Sequence, residues 1–250
     1  MQRYFFNEAY QNQERFQATA EMYHHMIHVM RMQAGDQVYL AFNNQQVIIA
    51  EIVEITAQTL WLKEVAKESQ QKELPIEITI ASGYPKGDKL EWIVQKGTEL
   101  GAHQFIGFPA ASSVVKWDAK KLAKKAQRLT KIAQEAAEQS HRQVVPTIQL
   151  LDQKISLEQQ LEDYDMVLVA YEESAKQGEK AMLAQAFSQL TTNQRLLVVF
   201  GPEGGLTPQE IASFTDKGAK LCGLGPRILR TETAPLYLLA AASYHFELTV

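Results

Sequence analysis

The sequence predicts an α/β protein in which a parallel sheet with helices on its faces follows a small β-rich unit. Three observations predict it. From Leu74 onward, strand-like runs alternate with runs of helical period. Two of the strand-like runs, Met166–Ala170 and Leu196–Phe200, are short and apolar throughout, as in strands buried on both faces of a parallel sheet. Before Lys67, one helical run precedes short strand-like runs separated by turn residues, the pattern of a small β-barrel. The polar stretch Lys67–Glu73 divides the chain into residues 1–72 and residues 73–250.

The elements follow in order. Met22, Met26 and Val29 recur at helical intervals within Thr19–Met32, and Ala34-Gly35-Asp36 is a turn. Strands are expected at Gln37–Phe42, Val47–Ile55 and Thr59–Val65, with a turn at Asn43-Asn44. In Pro75–Ala81, Ile76, Ile78 and Ile80 alternate with polar residues, a strand signal. Asp88 with Glu91 reads as a capping box, Leu90, Ile93, Val94 and Leu100 keep helical spacing, and Gly101 can close the helix. Phe105–Phe108 reads as a short strand and Ala119–Ser140 as a long helix. Thr207-Pro208-Gln209-Glu210 is a second capping box with proline in the first turn. Leu221–Leu224 reads as a strand and Glu232–Leu248 as a final helix.

Composition narrows the class. Of 250 residues, 46% are hydrophobic and 22% charged, enough apolar material for a core and too much for a disordered chain. The longest nearly apolar stretch, Ala234–Phe246, is shorter than the ~18–20 residues of a membrane span and contains Pro235 and His245. Met1–Tyr10 carries Glu8 and no apolar run, so no secretory leader is expected. A lone Cys222 cannot form an internal disulfide, which fits a cytoplasmic protein. The net charge of −4 excludes a globally basic nucleic-acid binder.

The charge is unevenly placed. Lys116, Lys120, Lys121, Lys124, Lys125, Arg128 and Lys131 face a single acid in the same stretch, Asp118. Leu122, Ala126, Leu129, Ala133 and Ala136 form the apolar stripe of that helix, and Lys121, Lys124, Arg128 and Lys131 a second stripe beside it. A solvated helix face usually mixes signs. The missing acids favour phosphate-backbone binding over a merely solvated face.

Two glycine-bearing loops follow strands: Gly201-Pro202-Glu203-Gly204-Gly205 and Gly223-Leu224-Gly225-Pro226-Arg227. Neither is a P-loop, nor the dinucleotide fingerprint. Each alone reads as a tight turn; two at the carboxyl ends of parallel strands read as a ligand cleft. Arg227, Arg230, Thr231, Glu232 and Thr233 crowd an apolar helix start, where burial is costly unless they are paired or liganded, with Thr231 or Thr233 as a helix cap. His24 and His28 have metal-compatible spacing, but no third ligand accompanies them, and no metal is expected.

These residues together resemble the RsmE family, methyltransferases that modify N3 of one uridine in small-subunit ribosomal RNA. The resemblance runs along nearly the whole chain. It rests on Met1–Phe6, His25 with Val29–Arg31, Lys96–Gly101, Ser113–Asp118, Glu135–Arg142, and above all Gly201–Gly205 and Leu224–Ala234. This chain carries His28 and Ser112 where many relatives have arginine, and Asn43-Asn44 where Asp-Gly is frequent.

The resemblance implies a SPOUT-type α/β domain with a C-terminal trefoil knot, preceded by a PUA-like β-barrel. It implies a cytoplasmic homodimer acting on 16S ribosomal RNA, within the small ribosomal subunit, with S-adenosylmethionine as methyl donor. On that analogy Tyr171, Gly201, Glu203, Gly204, Gly205, Leu224, Gly225, Ile228 and Leu229 hold the cofactor. Uracil N3 must lose a proton, and a cation facing the carbonyl oxygens would stabilise the resulting charge. Arg230 is assigned that part, with Glu232 orienting it or accepting the proton. Arg3, Arg31, Lys116, Lys121, Lys124, Lys125, Arg128 and Arg142 are assigned to RNA. Three other readings remain: a SPOUT enzyme acting on ribose or transfer RNA, an RNA-binding assembly factor without catalysis, and a plain α/β domain whose glycine loops are only turns.

Overall fold

The computed structural model describes residues 1–172 and 182–249. It separates into two units, Met1–Glu73 with Ala137–Val144, and Leu74–Ala136 with Val145–Val250.

The first unit contains β1 (Arg3–Phe6), β2 (Phe16–Gln17), α1 (Ala20–His24), β3 (Gln37–Phe42), β4 (Val47–Ile55) and β5 (Leu60–Lys67). Thr19 caps α1, its hydroxyl accepting from the Met22 N–H at 3.2 Å. One π-helical turn, His25–Val29, then replaces the α-helix expected as far as Met32. The sheet order is β1-β3-β4-β5-β2, with β1 parallel to β3 and the other pairs antiparallel. Alternate residues of β3 and β4 (Val38, Leu40, Phe42, Ile48, Ala50, Ile52) meet Leu60, Leu62 and Phe16 in one core. The β4–β5 register shifts between Ile49 and Ala50 and again between Ile52 and Glu54, and such irregularities bend a sheet around its core.

The second unit contains β6 (Glu77–Gly83), α2 (Lys89–Glu99), β7 (Gln104–Phe108), α3 (Ala119–Gln139, its last turn in the first unit), β8 (Thr147–Leu150) and α4 (Ile155–Glu158). There follow β9 (Met166–Ala170), α5 (Met182–Gln189), β10 (Arg195–Phe200), α6 (Pro208–Thr215), β11 (Lys220–Cys222) and α7 (Thr233–Ser243). The six strands are all parallel, in the order β11-β9-β10-β6-β7-β8. Leu196 and Val198 of β10 join a core with Ile93, Leu168, Leu238 and Leu239, whereas Leu197 and Val199 join another with Ile106, Val169 and Phe214. Strand β10 is therefore buried on both faces, as its unbroken apolar run requires.

Helix ends show local chemistry at work, and in places overruled. At α6 the capping box is complete: the Glu210 N–H donates to the Thr207 hydroxyl, and the Glu210 carboxylate accepts from the Thr207 N–H. At α2, Asp88 occupies the cap position but its side chain makes no cap bond, so the capping box expected there is absent. Gly101 ends α2 at φ +93°, where a side chain would be strained, and the next N–H, of Ala102, returns to the Gly97 carbonyl. Neither Thr231 nor Thr233 caps α7. Glu232 stands at that position without a side-chain cap bond, and the Thr233 and Ala234 N–H groups donate to the Arg230 carbonyl. The last helix turns π at Tyr244–Leu248.

Candidate active site

Parallel strands direct their carboxyl ends, and the loops that follow, to one edge of the sheet. Here the loops after β9, β10 and β11 enclose a cavity of about 790 Å³. Its wall contains Tyr171 and Glu172 after β9, Gly201–Leu206 after β10, and Leu224–Thr231 after β11, together with Lys89 of α2 and Ala234 of α7. The Tyr171 N–H donates to the Cys222 carbonyl at 3.0 Å, holding the first loop against the end of β11.

Glycine is demanded at specific points of this wall. A Cβ on Gly201 would lie 2.7 Å from the Gly205 carbonyl carbon, because the loop closes on itself through a bond from the Gly205 N–H to the Pro202 carbonyl at 2.8 Å. Gly205 and Gly225 adopt φ +70° and +91°, and a Cβ on Gly205 would meet open space.

The charges around the cavity sort into paired and free. The Glu203 carboxylate accepts from Lys89 Nζ at 2.8 Å and from the Lys86 N–H at 3.1 Å. Burial pushes its carboxyl up, but Lys89 and the backbone N–H groups prevail and hold it below its usual range. The Glu232 Oε2 atom lies 3.6 Å from the same Lys89 Nζ and is buried without a hydrogen bond. Arg227 and Arg230 are exposed, and neither forms an ion pair among the described residues.

The structure thus gathers Tyr171, Gly201, Glu203, Gly204, Gly205, Leu224, Gly225, Ile228, Leu229 and Arg230 around one cavity. Glu232 does not line it and does not pair with Arg230; its carboxylate turns to Lys89. The sequence carries little signal for Lys89. Its partners lie on distant loops, and nothing local marks it except the acidic residues beside it.

The basic residues divide likewise. Lys116, Lys121 and Lys124 are exposed, as is Arg31 at φ +56°. Lys125 lies over the Trp117 ring at 4.8 Å, and Arg128 pairs with Glu91 at 2.7 Å. Arg3 and Arg142 correct the expectation of RNA contact. Arg3 is buried, donating to both oxygens of Glu68 at 2.8 and 2.7 Å and to the Arg142 carbonyl at 3.1 Å. Arg142 is buried against the Glu73 carboxylate, which also accepts from the Gln143 N–H at 2.7 Å. Guanidinium groups bonded in this way serve the first unit's interior and present nothing to a phosphate. Counting charges in sequence does not reveal such partners. The His24 and His28 rings lie 5.3 Å apart, and no group of three or more His, Cys, Asp or Glu among the described residues is placed to hold a metal ion.

Comparison with known proteins places these features in a family. The model of the RNA methyltransferase domain matches residues 72–243, and that of the RNA methyltransferase PUA domain matches residues 19–65. The chain is 50% identical over 251 residues to the ribosomal RNA small subunit methyltransferase E of Bacillus subtilis (strain 168), covering 99% of this chain and 98% of that protein. A crystal structure of a protein described as hypothetical, 47% identical, superposes over 100% of both chains with a TM-score of 0.93. The putative methyltransferase Lpg2936 of Legionella pneumophila, solved in complex with the cofactor SAM, is 25% identical over 96% of both chains, with a TM-score of 0.79.

Proposed function

Because the chain belongs to the ribosomal RNA small subunit methyltransferase E family and is an RNA methyltransferase, we propose that it methylates N3 of one uridine in 16S ribosomal RNA, using S-adenosylmethionine. The observation that carries this reading is a cavity at the carboxyl edge of the parallel sheet, walled by both glycine loops, with Arg230 on its wall forming no ion pair among the described residues.

The wall suits the cofactor. Gly205 and Gly225 leave the backbone bare where a side chain would project, so peptide groups can approach a bound nucleoside closely. Leu224, Ile228 and Leu229 add apolar surface for an adenine ring, and Ile228 is 75% exposed. When bound, S-adenosylmethionine supplies a methyl group activated by positive sulfur. Tyr171 and the Gly201–Gly205 loop bound the same space.

The acceptor sets the remaining requirements. Uracil N3 lies on the base-pairing edge, so the target must be unpaired or flipped out. As N3 releases its proton to solvent water, charge spreads over two carbonyl oxygens. Arg230, exposed at the rim and free of carboxylate partners among the described residues, stabilises that charge. Glu232 contributes through placement, since its carboxylate faces Lys89. Lys116, Lys121 and Lys124 grip the RNA backbone, with Lys125 and Arg128 beside them, and Arg31 contributes from the first unit.

The second unit is assigned to the SPOUT superfamily, its C-terminal segment threading a trefoil knot, and the first to a PUA-like barrel. The strand order supports the first assignment: after β10 the chain returns past β9 to place β11 at the edge, bringing three loops together. The active form is assigned as a homodimer working in the cytoplasm on the small ribosomal subunit. Tyr237, Tyr244 and Leu248, exposed on and beyond α7, are apolar surface for a second copy.

The test is methyl transfer from labelled S-adenosylmethionine to small subunits from cells lacking this protein, followed by nucleoside mass spectrometry. Label in 3-methyluridine is the expected outcome. Label in a ribose-methylated nucleoside, or none while the protein still binds the subunit, overturns the reading.

A further inference from the structure

We infer that Lys89 is a positioning residue for the cofactor: its one ammonium bridges the two loops that wall the cavity. The inference rests on the reading that this cavity takes S-adenosylmethionine. Lys89 is the first residue of α2 and belongs to neither glycine loop. Its Nζ donates to Glu203 at 2.8 Å, in the loop after β10, and lies 3.6 Å from Glu232, at the end of the loop after β11. The Lys86 N–H adds a second donor to the same Glu203 oxygen, so the segment leading into α2 grips that loop twice.

Removing the ammonium leaves two carboxylates aimed at one vacated point. They repel across a short distance, and the buried Glu232 Oε2 atom, which has no hydrogen bond, loses its only nearby cation among the described residues. The two loops are free to part, and the cavity between them changes shape. Lys89, Glu203 and Glu232 are each about a third exposed or less (33%, 30% and 26%), and pairs this wet add little to global stability. The bridge therefore acts on loop placement, and its loss shows in cofactor binding before it shows in unfolding.

The experiment compares wild type, Lys89→Met and Lys89→Arg. It measures the Kd of S-adenosylmethionine by calorimetry without RNA, the KM and kcat of methyl transfer, and the thermal midpoint without cofactor. For Lys89→Met, Kd and KM for S-adenosylmethionine are expected to rise about tenfold, the equivalent of about 1.4 kcal/mol, with kcat at saturation within about twofold of wild type. The thermal midpoint stays at the wild-type value, and Lys89→Arg recovers most of the affinity because it keeps the charge. An unchanged Kd in Lys89→Met, a loss confined to kcat, or a fall in thermal midpoint that Lys89→Arg repairs without repairing Kd overturns the inference. A wild-type protein that binds no S-adenosylmethionine overturns the cavity reading itself, and is told apart because no variant is needed to see it.

Discussion

The Ser112 hydroxyl donates a 2.6 Å hydrogen bond to the Gly205 carbonyl, fastening the segment after β7 to the glycine loop after β10. The fastening is double. One Glu210 oxygen accepts from the Ala111 N–H at 2.9 Å, while the other closes the capping box of α6. The stretch that leads into the basic helix is thereby held against the wall of the proposed cofactor site.

Gly204 makes that contact possible. A Cβ there would lie 2.7 Å from the Ser112 Cβ, closer than two such atoms pack, so one chain segment must shift. Gly204→Ala is expected to cost about 1–3 kcal/mol in denaturant unfolding, the scale of a forced overpacking. It should also weaken S-adenosylmethionine binding in calorimetry. Wild-type stability together with wild-type affinity would show that the two segments are not coupled.

The pair Arg3–Glu68 sets a pH dependence for the fold. Arg3 is fully buried and Glu68 nearly so, and Lys72 also donates to Glu68 at 2.5 Å. Burial pushes the Glu68 carboxyl up, but the bonds from Arg3 and Lys72 prevail and leave it below 4.5. A carboxyl lowered in the folded state adds stability that is full above the unfolded value and is lost as pH falls through the folded one. Glu68→Gln is therefore expected to be about 3–5 kcal/mol less stable than wild type at pH 7, since it strands a buried guanidinium. The gap should close as pH falls below 4.5, measured by urea unfolding at several pH values. A constant gap across that range would mean that the carboxylate charge is not what stabilises the pair.

The basic helix should be read by salt. Lys121 and Lys124 are exposed without carboxylate partners among the described residues, whereas Arg128 is engaged by Glu91. Lys121→Glu with Lys124→Glu is expected to weaken RNA binding and flatten the slope of log affinity against log salt by roughly one to two units. Arg128→Ala should change the slope less. Equal slopes for wild type and the double variant would remove this face from the RNA interface.

Most of this architecture is legible in the residues because local and global signals agree. Strands β3, β4 and β9 fall where alternation or unbroken apolarity puts them, and the Thr207 box forms as written. Strands β1, β2 and β8 leave no such signal in the sequence. They run two to four residues, too short for a period to register, and they exist through pairing with distant strands. At Asp88 a good local motif goes unused: the residue holds the cap position, but its side chain makes no cap bond. The glycine loops announce a ligand cleft, since glycine there answers backbone needs visible in one segment. Lys89 and the burial of Arg3 and Arg142 depend on partners remote in sequence, and no window along the chain contains both halves of such a contact.

Arg230 gives the sharpest separation of binding from chemistry. Its side chain is exposed at the cavity rim, and its carbonyl accepts from the Thr233 and Ala234 N–H groups at the start of α7. The backbone role survives any side-chain change, so Arg230→Ala should keep its fold and its loop. A cation that meets only the charge developing on uracil contributes nothing to the donor in the ground state. Arg230→Ala is therefore expected to bind S-adenosylmethionine within about threefold of wild type, yet lose about 100-fold or more in methyl transfer, as when one oxyanion-stabilising donor is removed. Arg230→Lys should recover part of the rate, because charge is retained while the forked geometry is lost. Calorimetry and single-turnover transfer on the same preparations decide it. A parallel fall in cofactor affinity and rate would make Arg230 part of the donor site.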